Sequence, residues 1–589
     1  MPVKISRITY NLFTIASLIV YSIIIASFSN YSVTDPVSAL PGSFASFKTS
    51  STSNLGSSYM GSQDSASILR MHNTTGMVTL AGEVNPSSLE RPMFKPFIGI
   101  NSQESYLTKN FEAYKVAKNQ SEFIKPNTTV FEVKPRVFHD IRLPKIPGTS
   151  LNMSNSILGA FQGLSQNCCF PPDVQVAAGK KYLIEMVNLD GAIYTKDGTI
   201  VKAFGLEPFF NPSQGSNIID EMSDPVLLFD NLSGRWFASI SDITEHSIRV
   251  AVSKTEDPTG IWRIYNFPFM SQPNNCSDQP FIGVSEDKVV VTVNNWGNDC
   301  NWSSGNRPPE FRGVQLTVAD KSDLMNGSSY AKALQSESDQ SYFSLHPIIN
   351  LSPTSTLLIA TAGDFGHNTI QIFHVDGTLH NLQIKVISYP IHSTHVAPDG
   401  VQSLAQSIIR QMNREEPMVS TGDARIQSGS SYQGKLWLAF NDGCFIIADT
   451  KSRSCIRLVE IDTITNRVLQ DFDIGTLASS LYYPAISIDT AGNLGIVFGY
   501  SSCSVNPSIL ASIRLSDDKL GSIEDPQYLK LGAAHELSNR YGDYFTASPD
   551  PSSGSMIWLA GEYHSTATWS TYVGQVNTVK QSLKSAPLN

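Results

Sequence analysis

The sequence is poor in charge. Asp, Glu, Lys and Arg make up 16% of its 589 residues, and the 42 basic residues form no run or stripe. Nucleic-acid binding needs a basic footprint, so no nucleic-acid partner is expected. The net charge of −10 fits solubility and leaves cations as ligands. There is no Cys-x-x-Cys pair, no Gly-x-Ser-x-Gly elbow and no Gly-x-x-x-x-Gly-Lys-Ser/Thr loop. Those absences remove the thiolate zinc, nucleophile-elbow and phosphate-loop readings. Amphipathic helical periodicity is nearly missing, with one fair stretch near Leu404 to Met412, which speaks against an α/β fold. Long apolar runs are missing too, apart from Ile8 to Phe28.

That run follows Lys4 and Arg7 and is about as long as the roughly 20 residues a membrane span needs. Residues 1–29 therefore read as a signal peptide or a membrane anchor, both of which fit. The rest is expected to be extracellular or at the cell surface, membrane-anchored or secreted. Cysteine usage agrees with export. Cys444 and Cys455 flank a short polar turn, and Cys276 and Cys300 bracket a strand and its loop, so both pairs are expected to be oxidised. In the vicinal pair Cys168-Cys169, one thiol is expected to reach Cys503. Asn-x-Ser/Thr triplets, as at Asn127, Asn231 and Asn326, offer glycan acceptors in an exported chain.

Residues 30–90 are rich in Ser, Thr, Gly and Asn and read as a flexible linker. Residues 91–160 read as an extended lead-in with one alternating stretch, Thr129 to Val133. From 161 to 580 a pattern recurs: a polar or Pro-marked start, a short strand, an Asp, Asn or Gly turn, then a more apolar strand. The copies start at Asp173, Asp224, Pro280, His346, Ala424, Pro484 and Asp543. Repeats of roughly 50–75 residues suit four-stranded blades. Such units cannot bury both faces alone, and stacking around an axis does so without open edges. The expected fold is all-β: a seven-bladed β-propeller preceded by a signal or anchor helix and the linker. Its last copy runs out after Val576, so a strand from before Phe161, Thr129 to Val133, is expected to close the ring.

Pro171-Pro172-Asp173-Val174-Gln175-Val176-Ala177-Ala178-Gly179, Val187-Asn188, Thr255-Glu256-Asp257-Pro258-Thr259-Gly260-Ile261-Trp262, Asp423-Ala424-Arg425 and Gly542-Asp543-Tyr544 together resemble a family of secreted β-propeller proteins of archaea and bacteria. That family lies in the sialidase-like, BNR-repeat neighbourhood. The resemblance spans about 161–576 and implies fold and compartment rather than activity. The Asp-box turn of the superfamily survives only in degenerate form, at Ser487-Ile488-Asp489 with Gly492 and at Ser548-Pro549-Asp550 with Gly554 and Trp558. The arginine triad is not assignable, and catalytic residues are unknown.

On the propeller reading, Asp173, Asp224, Asp278, His346, Asp423 and Asp543 converge on one rim of the central channel, with Arg425 and Arg540 beside them. Converging carboxylates repel unless protons, arginine or a cation intervene. Turn-capping by each Asp is one resolution. Calcium held by Asp173, Asp224, Asp278, Asp423 and Asp543 is another, and a catalytic carboxyl pair a third. His392-x-x-His395 reads as a solvated loop, and Trp236, Trp262, Trp437 and Trp558 as packing between blades. The leading expectation is a binding protein for a cell-surface glycan or protein ligand, touching the membrane through its N-terminal segment if that is uncleaved. The alternatives are a sialidase-like or other glycan hydrolase, and an envelope component.

Overall fold

The computed structural model describes residues 59–60, 62–63, 69–91, 137–144, 157–212, 222–269, 275–297, 310–362, 367–403, 418–449, 451–536, 538, 540–566 and 568–579. The apolar run 8–28, Thr129–Val133 and Cys300 lie outside them. The described residues belong to one compact unit, 56–589, and are nearly all strand, with two short α-helices at Leu206–Phe210 and Lys321–Asn326. Among them, no helix is long and apolar enough to cross a membrane.

The strands form seven sheets, built mainly from antiparallel neighbours in chain order. The first repeat strand of each is, in turn, β1 (Gln175–Ala178), β2 (Met222–Asp230), β3 (Cys276–Val284), β4 (His346–Pro347), β5 (Ile426–Tyr432), β6 (Ser479–Ile488) and β7 (Thr546–Pro549). Each of these touches the next, and β7 returns to β1. The cores repeat the circuit. One apolar cluster lies between each consecutive pair of sheets, and one between the last and the first, where Trp558, Ala560 and Val573 meet Val176, Leu183 and Tyr194. This explains the uninterrupted apolar second strands. Every residue of Lys288–Trp296 is buried, because both faces of the sheet are covered. Trp236, Trp262, Trp437 and Trp558 pack into these inter-sheet cores, as their strand positions suggested.

Two features differ from the sequence reading. The strand that completes the last sheet is Ile157–Ser165, antiparallel to Trp569–Asn577, with Phe161 opposite Val573. Within it, Gly163 has no room for a side chain. An added Cβ would lie 2.4 Å from Thr571 Oγ1 and 2.6 Å from the Glu185 carboxylate. The stretch 30–90 is also more than a linker. Val78–Val84 adds a strand outside Trp262–Pro268, and Met71–Asn73 one outside Ala333–Ser336. Each covers a sheet edge that would otherwise present unpaired backbone.

Cys444 and Cys455 are joined as expected, with Cα atoms 6.0 Å apart on neighbouring strands. Cys276 is disulfide-bonded. Cys168 and Cys169 are joined to each other, so neither reaches Cys503, which is free and exposed.

Candidate functional site

At the start of each repeat strand, or within it, the chain passes through the left-handed region: Asp173, Asp224, Gln279, Ser344, Gly422, Tyr483 and Asp543, one per sheet, all have φ between 50° and 67°. Asp tolerates this conformation because its short side chain bonds nearby backbone. Four of these turns carry ladder irregularities just beyond them, between Ser223 and Val226, Asp278 and Phe281, Ile426 and Ser428, and Tyr482 and Ala485.

An asparagine at the end of the second strand fastens the turn of the following sheet. Asn188 Oδ1 accepts from the Asp224 N–H at 3.1 Å, Asn294 from Ser344 at 3.1 Å and Asn441 from Tyr483 at 2.8 Å. Asn188 also donates to Asp173 Oδ2 at 2.7 Å. The repeated apolar-Asn pair, as in Val187-Asn188, Val293-Asn294 and Phe440-Asn441, is the signal that could have revealed these fasteners from sequence.

The charge of Asp543 acts on Asp173, Asp224 and Asp278, that of Asp224 on Asp173 and Asp278, that of Arg425 on Asp224 and Asp278, and that of Arg540 on Asp173. Burial, then the charges of Asp224 and Asp543, holds the Asp173 carboxyl well above the carboxylate range, and it shares a hydrogen bond with Asp224. Burial also raises Asp224. Burial and the Asp224 charge push Asp278 up to about 7, against the opposing pull of Arg425. Burial and mutual repulsion thus favour the protonated carboxyls, and the two guanidinium groups oppose them. Arg425 clamps Asp423, with Nε 2.8 Å and 2.9 Å from its two oxygens, and Arg540 Nη2 lies 2.9 Å from Asp543 Oδ2. Asp173, Asp423 and Arg425 are buried, while the Arg540 and Asp543 side chains keep about a quarter of their surface in solvent (22% and 26%) and form the open side.

Of the expected set, Asp423 is taken up by its own arginine. His346 sits apart from the carboxyls, its ring centroid 4.6 Å from that of Phe281, and burial lowers it to about 4. Tyr544, not foreseen, joins the two zones. Its ring lies 5.8 Å from Phe281, and it feels the charges of Asp224, Arg425 and Asp173. Phe281, His346 and Tyr544 also line a cavity of about 290 Å³ enclosed by the first strands. Among the described residues, no three rim carboxyls bring oxygens within 4.8 Å of one another. The histidines of His392-x-x-His395 belong to a different network. His392 Nδ1 lies 2.7 Å from Asp471, which pairs with the buried Arg457. The degenerate Asp-box residues are turn formers: Asp489 accepts from Ala491 and Asn493, and Asp550 from Ser552 and from Trp558 Nε1 at 2.9 Å.

No protein-family model and no curated protein matches the sequence. Among solved structures, NanB sialidase from Streptococcus pneumoniae is similar at 10% identity and a TM-score of 0.34, over 67% of this chain and 82% of that one. Trypanosoma rangeli sialidase is similar at 9% identity and 0.31, over 65% and 56%. A subtype N10 neuraminidase-like protein of A/little yellow-shouldered bat/Guatemala/060/2010 is similar at 9% and 0.32, over 72% and 99%. These structures lie in the sialidase-like neighbourhood named by the sequence resemblance, and at such scores they transfer no residue and no activity to this chain.

Proposed function

We propose that the circuit of seven sheets is a seven-bladed β-propeller at the cell surface or outside the cell, and that its Asp/Arg rim binds a hydroxyl-rich glycan or a protein ligand. The observation that carries the ligand site is the convergence of four aspartates and two arginines from five sheets, with Asp278 poised at about 7 and Arg540–Asp543 facing solvent. Protonated and ionised carboxyls side by side supply donors and acceptors together, as sugar hydroxyls require. The disulfides support an oxidising compartment. The test is a glycan array probed with the full chain, alongside Asp278→Asn and Arg540→Lys. A retained glycan that both variants lose by tenfold or more is expected. Equal binding by all three proteins refutes the rim as the site.

A glycan-hydrolase reading is favoured by one feature. A carboxyl that titrates near 7 can donate a proton at neutral pH, as a glycosidic leaving group needs. Turnover of aryl glycosides by the wild type and its loss in Asp278→Asn would favour this over simple binding. A calcium-dependent shift in melting temperature, lost in Asp278→Asn, would place calcium at the rim.

A further inference from the structure

Glu536, Glu562 and His564 form a second polar cluster with no exposure to solvent. Glu562 and His564 point to the same side of one strand, Met556–His564, and Glu536 comes from the loop before β7. The imidazole Nε2 lies 2.9 Å from Glu562 Oε1 and 3.1 Å from Glu536 Oε2. One ring nitrogen carries at most one hydrogen and cannot serve two carboxylates well. Glu536 Oε2 accordingly takes part in no hydrogen bond, although it is buried and aimed at that nitrogen. The charge balance is incomplete too. The main charges acting on Glu562 are those of His564 and Glu536 themselves. Two carboxylates facing one imidazolium leave a net negative charge in the interior, which burial penalises strongly.

We propose that Glu536, Glu562 and His564 are the protein ligands of a buried divalent transition-metal site, filled by zinc or an ion of similar preference. The three ligand atoms lie within 4.8 Å of one another. Zinc bonds of about 2.0–2.2 Å set tetrahedral ligand–ligand separations near ~3.4 Å, so the two spacings from His564 to the carboxylates need only a few tenths of an ångström of expansion. A divalent ion, two carboxylates and a neutral imidazole sum to zero charge, and the ion gives Glu536 Oε2 a partner. One imidazole with two carboxylates suits zinc or manganese better than calcium, which prefers oxygen alone. The surroundings already orient the two carboxylates, as metal sites require. Glu562 Oε2 accepts from the Gly542 N–H at 2.6 Å, and Ser538 bonds the other oxygen of Glu536. Gln402 exchanges two hydrogen bonds with the Glu536 backbone, at 2.9 Å and 2.8 Å, and the Tyr541 ring stacks on His564 at 6.1 Å. The ion would tie the loop before β7, which carries Arg540 and Asp543, to its sheet.

The full chain, purified with Cys503→Ser so that the exposed thiol does not compete, is unfolded and refolded with zinc or with cobalt(II), dialysed, and assayed by elemental analysis and visible absorption. About one equivalent of metal, a cobalt d–d spectrum, and a melting temperature lowered by chelator are expected. His564→Gln should lose the metal and the spectrum, and Asp278→Asn should keep both. Metal below a tenth of an equivalent in the wild-type ligand set, an unchanged melting temperature with chelator, or loss of the metal in Asp278→Asn rather than His564→Gln would overturn the assignment. The first two results come from the protein with all three ligands intact, so a misfolded variant does not affect them.

Discussion

Asp278 offers the most direct check on the electrostatics of the rim. Its carboxyl titrates near 7 in the folded protein against 3.8 for an ordinary aspartate. A raised carboxyl pKa means that the folded state holds the proton more tightly than the unfolded chain. The folded protein therefore has its full stability below about pH 4 and loses it as pH rises toward 7. The difference of about 3 pK units amounts to about 4 kcal/mol, an upper bound because solvent at the rim screens part of it. About half of that loss falls between pH 5.5 and 8. Asp278→Asn keeps the shape of the neutral acid and removes the titration, so the variant should gain on the wild type as pH rises. Thermal and urea unfolding of both proteins at pH 5.5 and 8 would measure the effect. The stability gap is expected to widen by about 2 kcal/mol at the higher pH, roughly 2–4 °C for a chain of this size. Parallel pH profiles would refute the claim that this carboxyl is buried beside its neighbours.

Arg457 is wholly buried and pairs with Asp442 at 2.9 Å and Asp471 at 2.7 Å. Arg457→Ala should cost about 3–5 kcal/mol in chemical denaturation, because two buried carboxylates would lose their shared guanidinium. Cys455→Ser opens a loop of 11 residues, and a loss of about 2–3 kcal/mol is expected by the same measurement under non-reducing conditions. Gly542 has φ of +84°, and an added Cβ would fall 2.3 Å from the Tyr483 ring. Gly542→Ala should therefore lower stability by more than about 2 kcal/mol and displace Asp543, read as weakened ligand binding.

Much of the architecture was visible in local pattern. Runs such as Val289-Val290-Val291 announced strands covered on both faces, and the polar starts at Asp173, Asp224 and Asp543 marked the turns that carry the rim. The Cys444–Cys455 pair was legible because strand geometry brings residues across a short hairpin together. The closing strand was not. Thr129 to Val133 alternates as a strand should, whereas Ile157–Ser165 is interrupted by glycines. Gly163 is what lets it lie against Glu185 and Thr571, a fit that no periodicity encodes.

The sequence by itself determined the strand pairs of the repeats, their apolar character and the Asp-marked turns at their starts, since these follow from side-chain alternation and short-range sterics. Only the tertiary structure decided which strand completes the last sheet, that Asp423 is spent on Arg425, that Asp278 titrates near neutrality, and that Glu536 meets Glu562 and His564. Those outcomes depend on distances through space and on the loss of water around a charge, quantities set by residues far apart in the chain.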